Sequence, residues 1–450
     1  MLTGIPLRPF DAPRPLSLAI ALVLAIPATA SANDYLEQLS PAQRAEFDGN
    51  SGLAMINAQY AYARGLSGSG QVLGIMDTGV SPSHPELAGR VIGLTAAGLR
   101  PDGSRCDSGT VLTGPAACFY SKGDQPSVRY LDWNSRLLAE TVPGLDASLL
   151  QQFASYGRYN GHGTHVAGIM AAARNGQGMH GVAPAARVAS VNLFSNVYAS
   201  MENFLQLPGG VSLELEPTRE VFEQGYAGLA SNGVRVLNNS WGLSATAPRN
   251  VADVDAQAKQ YAEVLDAIAA ATRRTGMLQV WAAGNFAGAT ADLPAALPRY
   301  RPEVQPYWLS VVSVAVNGTL DDFSGRCGIS REWCVAAPGD QIRSTIINGR
   351  ANARPARDAS GAVIGLEVPD QQTPTSTTAQ LSGTSMAAPQ VTGALALLIE
   401  RFPYLNNPQV RDVLLTTATD LGAPGVDDVF GWGLINLRKA IDGPGMLRVD

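Results

Sequence analysis

At 450 residues and 46% hydrophobic composition, the chain is long enough to bury one large core, and big α/β enzymes of this length commonly fold as a single domain. Charged residues make up only 16% and the formal net charge is -6, so the basic footprint that a phosphate backbone requires is missing and nucleic acid is excluded as an expected partner.

The chain opens with Arg8 and Arg14, an apolar run from Leu16 to Ile26, and the small residues Ala28 to Ala32. This pattern predicts a secretory signal peptide over residues 1–32, cleaved after Ala32, with an apolar stretch too short to span a bilayer. No later stretch approaches spanning length, so the mature chain is expected not to cross a membrane. Residues 33–50 read as a short N-terminal lead-in, and residues 51–445 as the folded domain.

From Gln71 onward, continuously apolar runs of strand length alternate with helical patterns. The predicted strands are Gln71–Met76, Arg187–Leu193, Val234–Leu237, Leu278–Ala282 and Leu309–Val316, which lack polar alternation, as strands covered on both faces should. Helices are predicted over Thr164–Ala173, Val251–Arg274 and Met386–Arg401. The alternation predicts an α/β fold with a doubly wound, mostly parallel sheet flanked by helices. Stretches 98–157, 199–218 and 346–380 are richer in Gly, Pro and polar residues and read as surface insertions. The four cysteines form two close pairs, Cys106 with Cys118 and Cys327 with Cys334, and export predicts two local disulfides, although three connectivities are formally open. No Cys/His spacing of the zinc-binding kind occurs.

Ligands of open α/β sheets bind beyond the carboxyl ends of the strands, so polar residues there are the ones to weigh. The run Val72–Gly79 delivers Asp77 into a glycine turn. Asp-Thr-Gly also marks aspartic proteases, and Asp107-Ser108-Gly109 offers a second carboxylate, but about 30 residues between the two leave no room for paired lobes. Asn160–Gly168 places His162 and His165 at a helix start; metal ligation is the competing reading, weakened by their spacing and the lack of a nearby carboxylate. Val280–Asn285 ends a strand on Asn285, whose side-chain amide can donate to an anion without titrating, or which is an ordinary turn residue. Leu381–Pro389 sets Ser385 at the start of an apolar helix, where backbone N–H groups favour negative charge. The alternative there is an N-cap serine, and the small residues on both sides favour the first reading by clearing room for a substrate backbone.

Together these four segments resemble the signature set of the subtilisin-like serine proteases, the subtilases, in the order Asp, His, Ser, over about Gly65 to Ala440. The resemblance implies a serine endopeptidase acting on protein or peptide substrates, with Asp77, His162 and Ser385 as catalytic residues, Asn285 in the oxyanion hole and His165 as a structural neighbour. It further implies that Ser240-Trp241-Gly242 pairs with the substrate backbone and walls the primary specificity pocket, with Ala282-Ala283-Gly284 opposite. Small walls predict large apolar or aromatic residues at P1; Asp292 is expected to be a solvated loop carboxylate, the alternative being a pocket base that favours a basic P1.

The family's chemistry needs no cofactor and no catalytic metal, and a monomer is expected. A structural calcium ion is carried by many members, yet Arg174–Gly181 is compact where their calcium loop lies. Asn33–Gly70 is too short for the usual folding propeptide. Phe323–Cys327, Trp333–Pro338, Phe430–Leu434 and Gly443-Pro444 resemble passenger domains of bacterial autotransporter subtilases, implying a secreted or cell-surface protein, either cut from a barrel-bearing precursor or freely secreted. A non-catalytic surface or adhesion protein of the same fold is the alternative function.

Overall fold

Apolar runs without polar alternation can be buried only where both faces of a strand are covered, and in this chain they assemble at the centre of one sheet. The computed structural model describes residues 32–443 except 108–110, 115, 133–154, 201–202, 204–205, 207–209, 244–247, 288–289 and 369–373; the stretch predicted as a signal peptide lies, through Ser31, outside the described residues. In chain order the strands are β1 (Val72–Asp77), β2 (Val91–Ala97), β3 (Tyr120–Lys122), β4 (Val128–Asp132), β5 (Tyr156–Tyr159), β6 (Arg187–Asn192), β7 (Val197–Ser200), β8 (Ser212–Leu213) and β9 (Val236–Asn239). They continue with β10 (Leu278–Ala282), β11 (Trp308–Val314), β12 (Cys334–Pro338), β13 (Ile342–Asn348), β14 (Arg350–Ala351), β15 (Arg354–Arg357), β16 (Val363–Glu367) and β17 (Thr375–Leu381).

The main sheet has eight strands in the order β12-β11-β10-β9-β1-β6-β2-β3, parallel throughout except for the antiparallel edge pair β2–β3. The chain leaves β1 to one side for β2, β3 and β6 and to the other for β9 through β12, so the strand order reverses at β1, the place where such sheets open a crevice. Strand side chains divide between two cores. Ile75, Val280 and Val311 pack under the helices His162–Ala171 and Thr384–Arg401, while Met76, Trp281 and Val312 pack under Arg219–Ser231 and Ala262–Thr275. Helices therefore cover both faces, as the alternation predicted.

Most boundaries lie within two residues of the predicted ones. The helix predicted over Val251–Arg274 is two helices, Val251–Gln260 and Ala262–Thr275, broken at Tyr261. The stretches read as insertions carry structure of their own: β4, β5, β7, β8 and β14 form a five-stranded sheet, β13 pairs with β17, and β15 with β16. Strands of two to seven residues with mixed exposure give too weak a period for sequence patterning to register. Both disulfides link the cysteines paired by proximity, Cys106–Cys118 and Cys327–Cys334. No described helix is long and apolar enough to cross a membrane.

The lead-in is ordered. Helices Ala32–Gln38 and Pro41–Asp48 are joined through a capping box in which Ser40 and Gln43 satisfy each other's backbone N–H groups. Phe47, Leu53 and Ile56 are buried in the same core as the Thr384–Arg401 helix. Asn50 Oδ1 accepts from Gln390 Nε2 of that helix at 3.3 Å, and Glu400, near its far end, accepts from the backbone N–H groups of Ser67 and Gly68.

Candidate active site

β1 ends on Asp77, fully buried at the reversal point of the sheet. Its Oδ1 accepts from the Thr78 N–H at 2.7 Å and from His162 Nδ1 at 2.8 Å, while Oδ2 is buried with no partner among the described residues. The His162 helix is held against this turn by small residues and short bonds. Gly163 N–H donates to Thr78 Oγ1 at 2.9 Å, the Ser81 N–H donates to Thr164 Oγ1 at 3.0 Å, and Asn160 Oδ1 accepts from the His162 N–H at 3.1 Å. Gly79 has φ +88°, and a Cβ there would strike the Gln125 carbonyl; one on Gly168 would strike Thr345 and Ser344. Both glycines are thus fixed by a close approach.

Burial lowers the pKa of His162, but the charge of Asp77 and its hydrogen bond outweigh burial and hold the imidazole above its ordinary value. The other three histidines go the opposite way. Burial lowers His84, and pushes His165 and His180 down to about 4. His165 Nε2 donates to the Ala379 carbonyl at 3.0 Å and so pins its helix to β17. Of the four, His162 alone is held above its ordinary value.

Register brings Ser385 to the neighbouring strand end. Met76 is paired with Asn239, so Ser240, one residue beyond, is level with Asp77 across a strand spacing of about 4.8 Å. Ser385 Oγ donates to the Ser240 carbonyl at 3.1 Å, and Ser240 Oγ donates to the Ser385 carbonyl at 2.9 Å. The second bond has a cause in the sequence: Pro389 lies four residues on, inside the helix, and has no N–H to offer that carbonyl. Ser385 and His162 share no hydrogen bond; both are partly exposed, at adjacent strand ends.

β10 lies on the other side of β9, with Trp281 paired to Asn239, so Ala282 is level with Ser240. Beyond it, Gly284 has φ +104° and turns the chain into Asn285. Asn285 Oδ1 accepts from both the N–H and the hydroxyl of Thr384 at 2.9 Å, which orients the amide. Its Nδ2 is left beside the Ser385 N–H in the first turn of the helix, with no acceptor among the described residues. Thr384 also accepts from the Gly284 N–H at 3.2 Å, which makes it the brace between strand end and helix start. Sequence reasoning passed over Thr384 and Thr78; their positions beside Ser385 and Asp77 were the available signal.

Ser240-Trp241-Gly242 and Ala282-Ala283-Gly284 continue two adjacent strands, the first bonded to Ser385 through Ser240, and Asp292 packs against Gly242 and Gly284. Trp241 leans on Phe222 and Trp281, which stiffens the first segment. A groove of about 700 Å³ runs along it, lined by Arg158, Phe194, Glu216, Trp241 and Gly242 among others. Asp292 departs from expectation: it is 4% exposed rather than solvated, and its Oδ2 lies against Gly242. The aspartic reading fails on placement, because Asp107 is exposed and ion-paired with Arg100 at 2.8 Å on the outer insertion.

Among the described residues, no group of three or more His, Cys, Asp or Glu side chains gathers as a metal centre. Two carboxylates do converge on the Arg174–Gly181 loop. Glu46 Oε1 accepts from the Asn175 N–H at 2.6 Å, Glu86 Oε2 from Asn175 Nδ2 at 3.0 Å, and Glu46 Oε2 is buried with no partner among the described residues. Burial and then the charge of Glu46 raise the Glu86 pKa.

The Subtilase family model matches residues 68–433. The chain is 31% identical over 441 residues to an extracellular serine protease of Serratia marcescens, covering 89% of this chain and 34% of that protein. It is 39% identical over 235 residues to serotype-specific antigen 1 of Mannheimia haemolytica, covering 51% of this chain and 23% of that protein. The Neisserial autotransporter lipoprotein NalP of Neisseria meningitidis serogroup B is 29% identical over 253 residues, covering 48% and 21%. The chain thus spans about a third or less of the length of these relatives. The crystal structure of fervidolysin from Fervidobacterium pennivorans, a keratinolytic enzyme related to subtilisin, superposes with TM-score 0.52 at 25% identity, covering 90% of this chain and 48% of that one.

Proposed function

The chain belongs to the subtilase family, and on that premise we propose that it is a secreted or cell-surface serine endopeptidase, a monomer that cleaves protein or peptide substrates through an acyl-enzyme. The observation that carries this reading is the Asp77–His162 pair at one strand end, with Ser385 and the Asn285 amide at the next two.

Because His162 Nδ1–H is given to Asp77, Nε2 is left as the basic nitrogen. Rotation of the Ser385 hydroxyl away from the Ser240 carbonyl turns it toward that nitrogen. Ser385 then attacks the scissile carbonyl as His162 takes its proton; the imidazolium, stabilised by Asp77, returns it to the leaving amine, and water repeats the sequence on the acyl-enzyme. Asn285 Nδ2 and the Ser385 N–H hold the oxyanion. We predict that Asn285→Ala lowers kcat by about 10²–10³-fold, the loss measured for the equivalent donor of subtilisin, with little change in KM. Steady-state kinetics on a peptide p-nitroanilide check this, and turnover near the wild-type value would remove Asn285 from the oxyanion hole.

The chemistry needs no cofactor. Toward a structural calcium ion the Arg174–Gly181 loop offers two carboxylates, Glu46 and Glu86, both bonded to Asn175, and one further oxygen, Glu46 Oε2, with no partner among the described residues. Calcium is accordingly expected to raise Tm by a few degrees over a chelated sample, and Glu46→Gln to abolish the difference in differential scanning calorimetry. Equal Tm values with and without calcium in the wild type would leave the two carboxylates as hydrogen-bonding groups only.

The domain plan that accompanies this function is a signal peptide over 1–32, a lead-in over 33–50 and one peptidase domain over 51–445. The autotransporter relative and the extracellular protease support its use outside the cytoplasm as a passenger or a released enzyme.

A further inference from the structure

Asp292 does nothing in the mechanism above, yet its carboxylate is 4% exposed. Its N–H donates to the Ala283 carbonyl at 2.8 Å, which ties it directly behind one wall of the crevice. Its Cβ approaches Gly284 from one side, and its Oδ2 lies so close to Gly242 that a Cβ there would collide with it. Oδ1 accepts from the Leu293 N–H at 2.8 Å; Oδ2 accepts from no donor among the described residues. No basic side chain pairs with it among those residues, although a buried carboxylate without a counter-charge is costly. A carboxylate placed in this way would be stabilised by a cation brought to Oδ2.

The geometry fixes which cation reaches it. Ser240 is hydrogen-bonded to Ser385, and Gly242 is two residues farther along the chain, a span of at most about 7 Å. A lysine or arginine side chain attached next to the bond under attack has that reach. Glycine at 242 lets Oδ2 come up against that strand end, a place that any side chain there would take from it. The half-buried ring of Trp241, which also lines the groove, suits the methylene stem, while the charged tip meets Oδ2.

Resting on the peptidase reading and deepening it, we propose that Asp292 forms the base of the primary specificity pocket and selects lysine or arginine at P1, in place of the large apolar residues that the small walls alone implied. Burial, opposed by the Leu293 N–H, pushes the Asp292 carboxyl up to about 6. It is therefore ionised above that pH, and the preference for a basic P1 grows as pH rises through it.

The test uses the full chain and tetrapeptide p-nitroanilides that differ only at P1: lysine, arginine or phenylalanine. Wild type is expected to cleave the basic pair with at least about tenfold higher kcat/KM than phenylalanine. Asp292→Asn, which keeps the acceptor for Leu293, is expected to lose about ten- to a hundredfold on the basic substrates while the phenylalanine substrate is unchanged or improves. The Lys/Phe ratio of kcat/KM cancels the ionisation of His162, so its rise between pH 5 and 7 belongs to Asp292 alone. Fluorophosphonate labelling of Ser385 separates the two levels of the argument. A labelled protein with no P1 preference for Lys or Arg, or an Asn variant that loses all three substrates equally, overturns the Asp292 assignment and spares the protease. An unlabelled, inactive wild type overturns both.

Discussion

Ser385→Ala is expected to lower kcat by about 10⁶-fold, the scale measured for removal of the nucleophile in subtilisin, leaving only the slow background of a bound, polarised peptide. The substitution should be well tolerated by the fold. Alanine is a good residue for the first helical turn, the bond lost is the one from Ser385 Oγ to the Ser240 carbonyl, and the reciprocal bond from Ser240 Oγ to the residue 385 carbonyl is untouched. The measurements are turnover of a peptide p-nitroanilide and stoichiometric fluorophosphonate labelling, with Tm as the control on folding. Undiminished turnover in the alanine variant refutes Ser385 as nucleophile. A folded wild type that takes no label points instead to the inert surface or adhesion protein, which the fold alone would equally accommodate.

Asp77→Asn is the second large effect, about 10⁴-fold in kcat by comparison with the same change in a serine protease triad. The variant presents a side-chain amide where a carboxylate now accepts from His162 Nδ1 and Thr78, so the tautomer with a basic Nε2 is no longer enforced. The pH profile carries a second, independent signature. His162 is raised above the ordinary value near 6.5 because the charge and hydrogen bond of Asp77 overcome burial. A general base works only when neutral, so wild-type kcat/KM falls as pH drops through this raised pKa. With the charge removed, burial acts alone and the residual activity of the variant should persist to lower pH. An acid limb that stays in place would mean that Asp77 does not set the His162 proton affinity.

The site was readable from sequence to the extent that its chemistry sits at strand ends flanked by small residues. Asp77, His162, Asn285 and Ser385 each close or open a run whose period is plain, and the glycines around them mark close approaches that the structure contains at Gly79, Gly163 and Gly168. The central strands were legible for the same reason, being apolar on both faces. What escaped was whatever depends on partners distant in sequence. β8 and β14 are two residues long and exist only because β7 and β5 accept them. Thr384 reads as one more small polar residue until Gly284 and Asn285 are brought beside it. Asp292 looked like a loop carboxylate because nothing local reveals that Gly242, 50 positions earlier, packs over it.

The family match begins at residue 68, but the object that folds begins earlier. Phe47, Leu53 and Ile56 pack in the hydrophobic core shared with the Thr384–Arg401 helix, and hydrogen bonds at Asn50 and at Ser67 and Gly68 clamp that helix midway and near its end. A fragment trimmed to the similarity boundary would strip an apolar face bare, remove the Asn50 clamp and take the Ser67 half of the other. For anyone expressing this protein, the helical stretch ahead of the match is part of the machine's chassis.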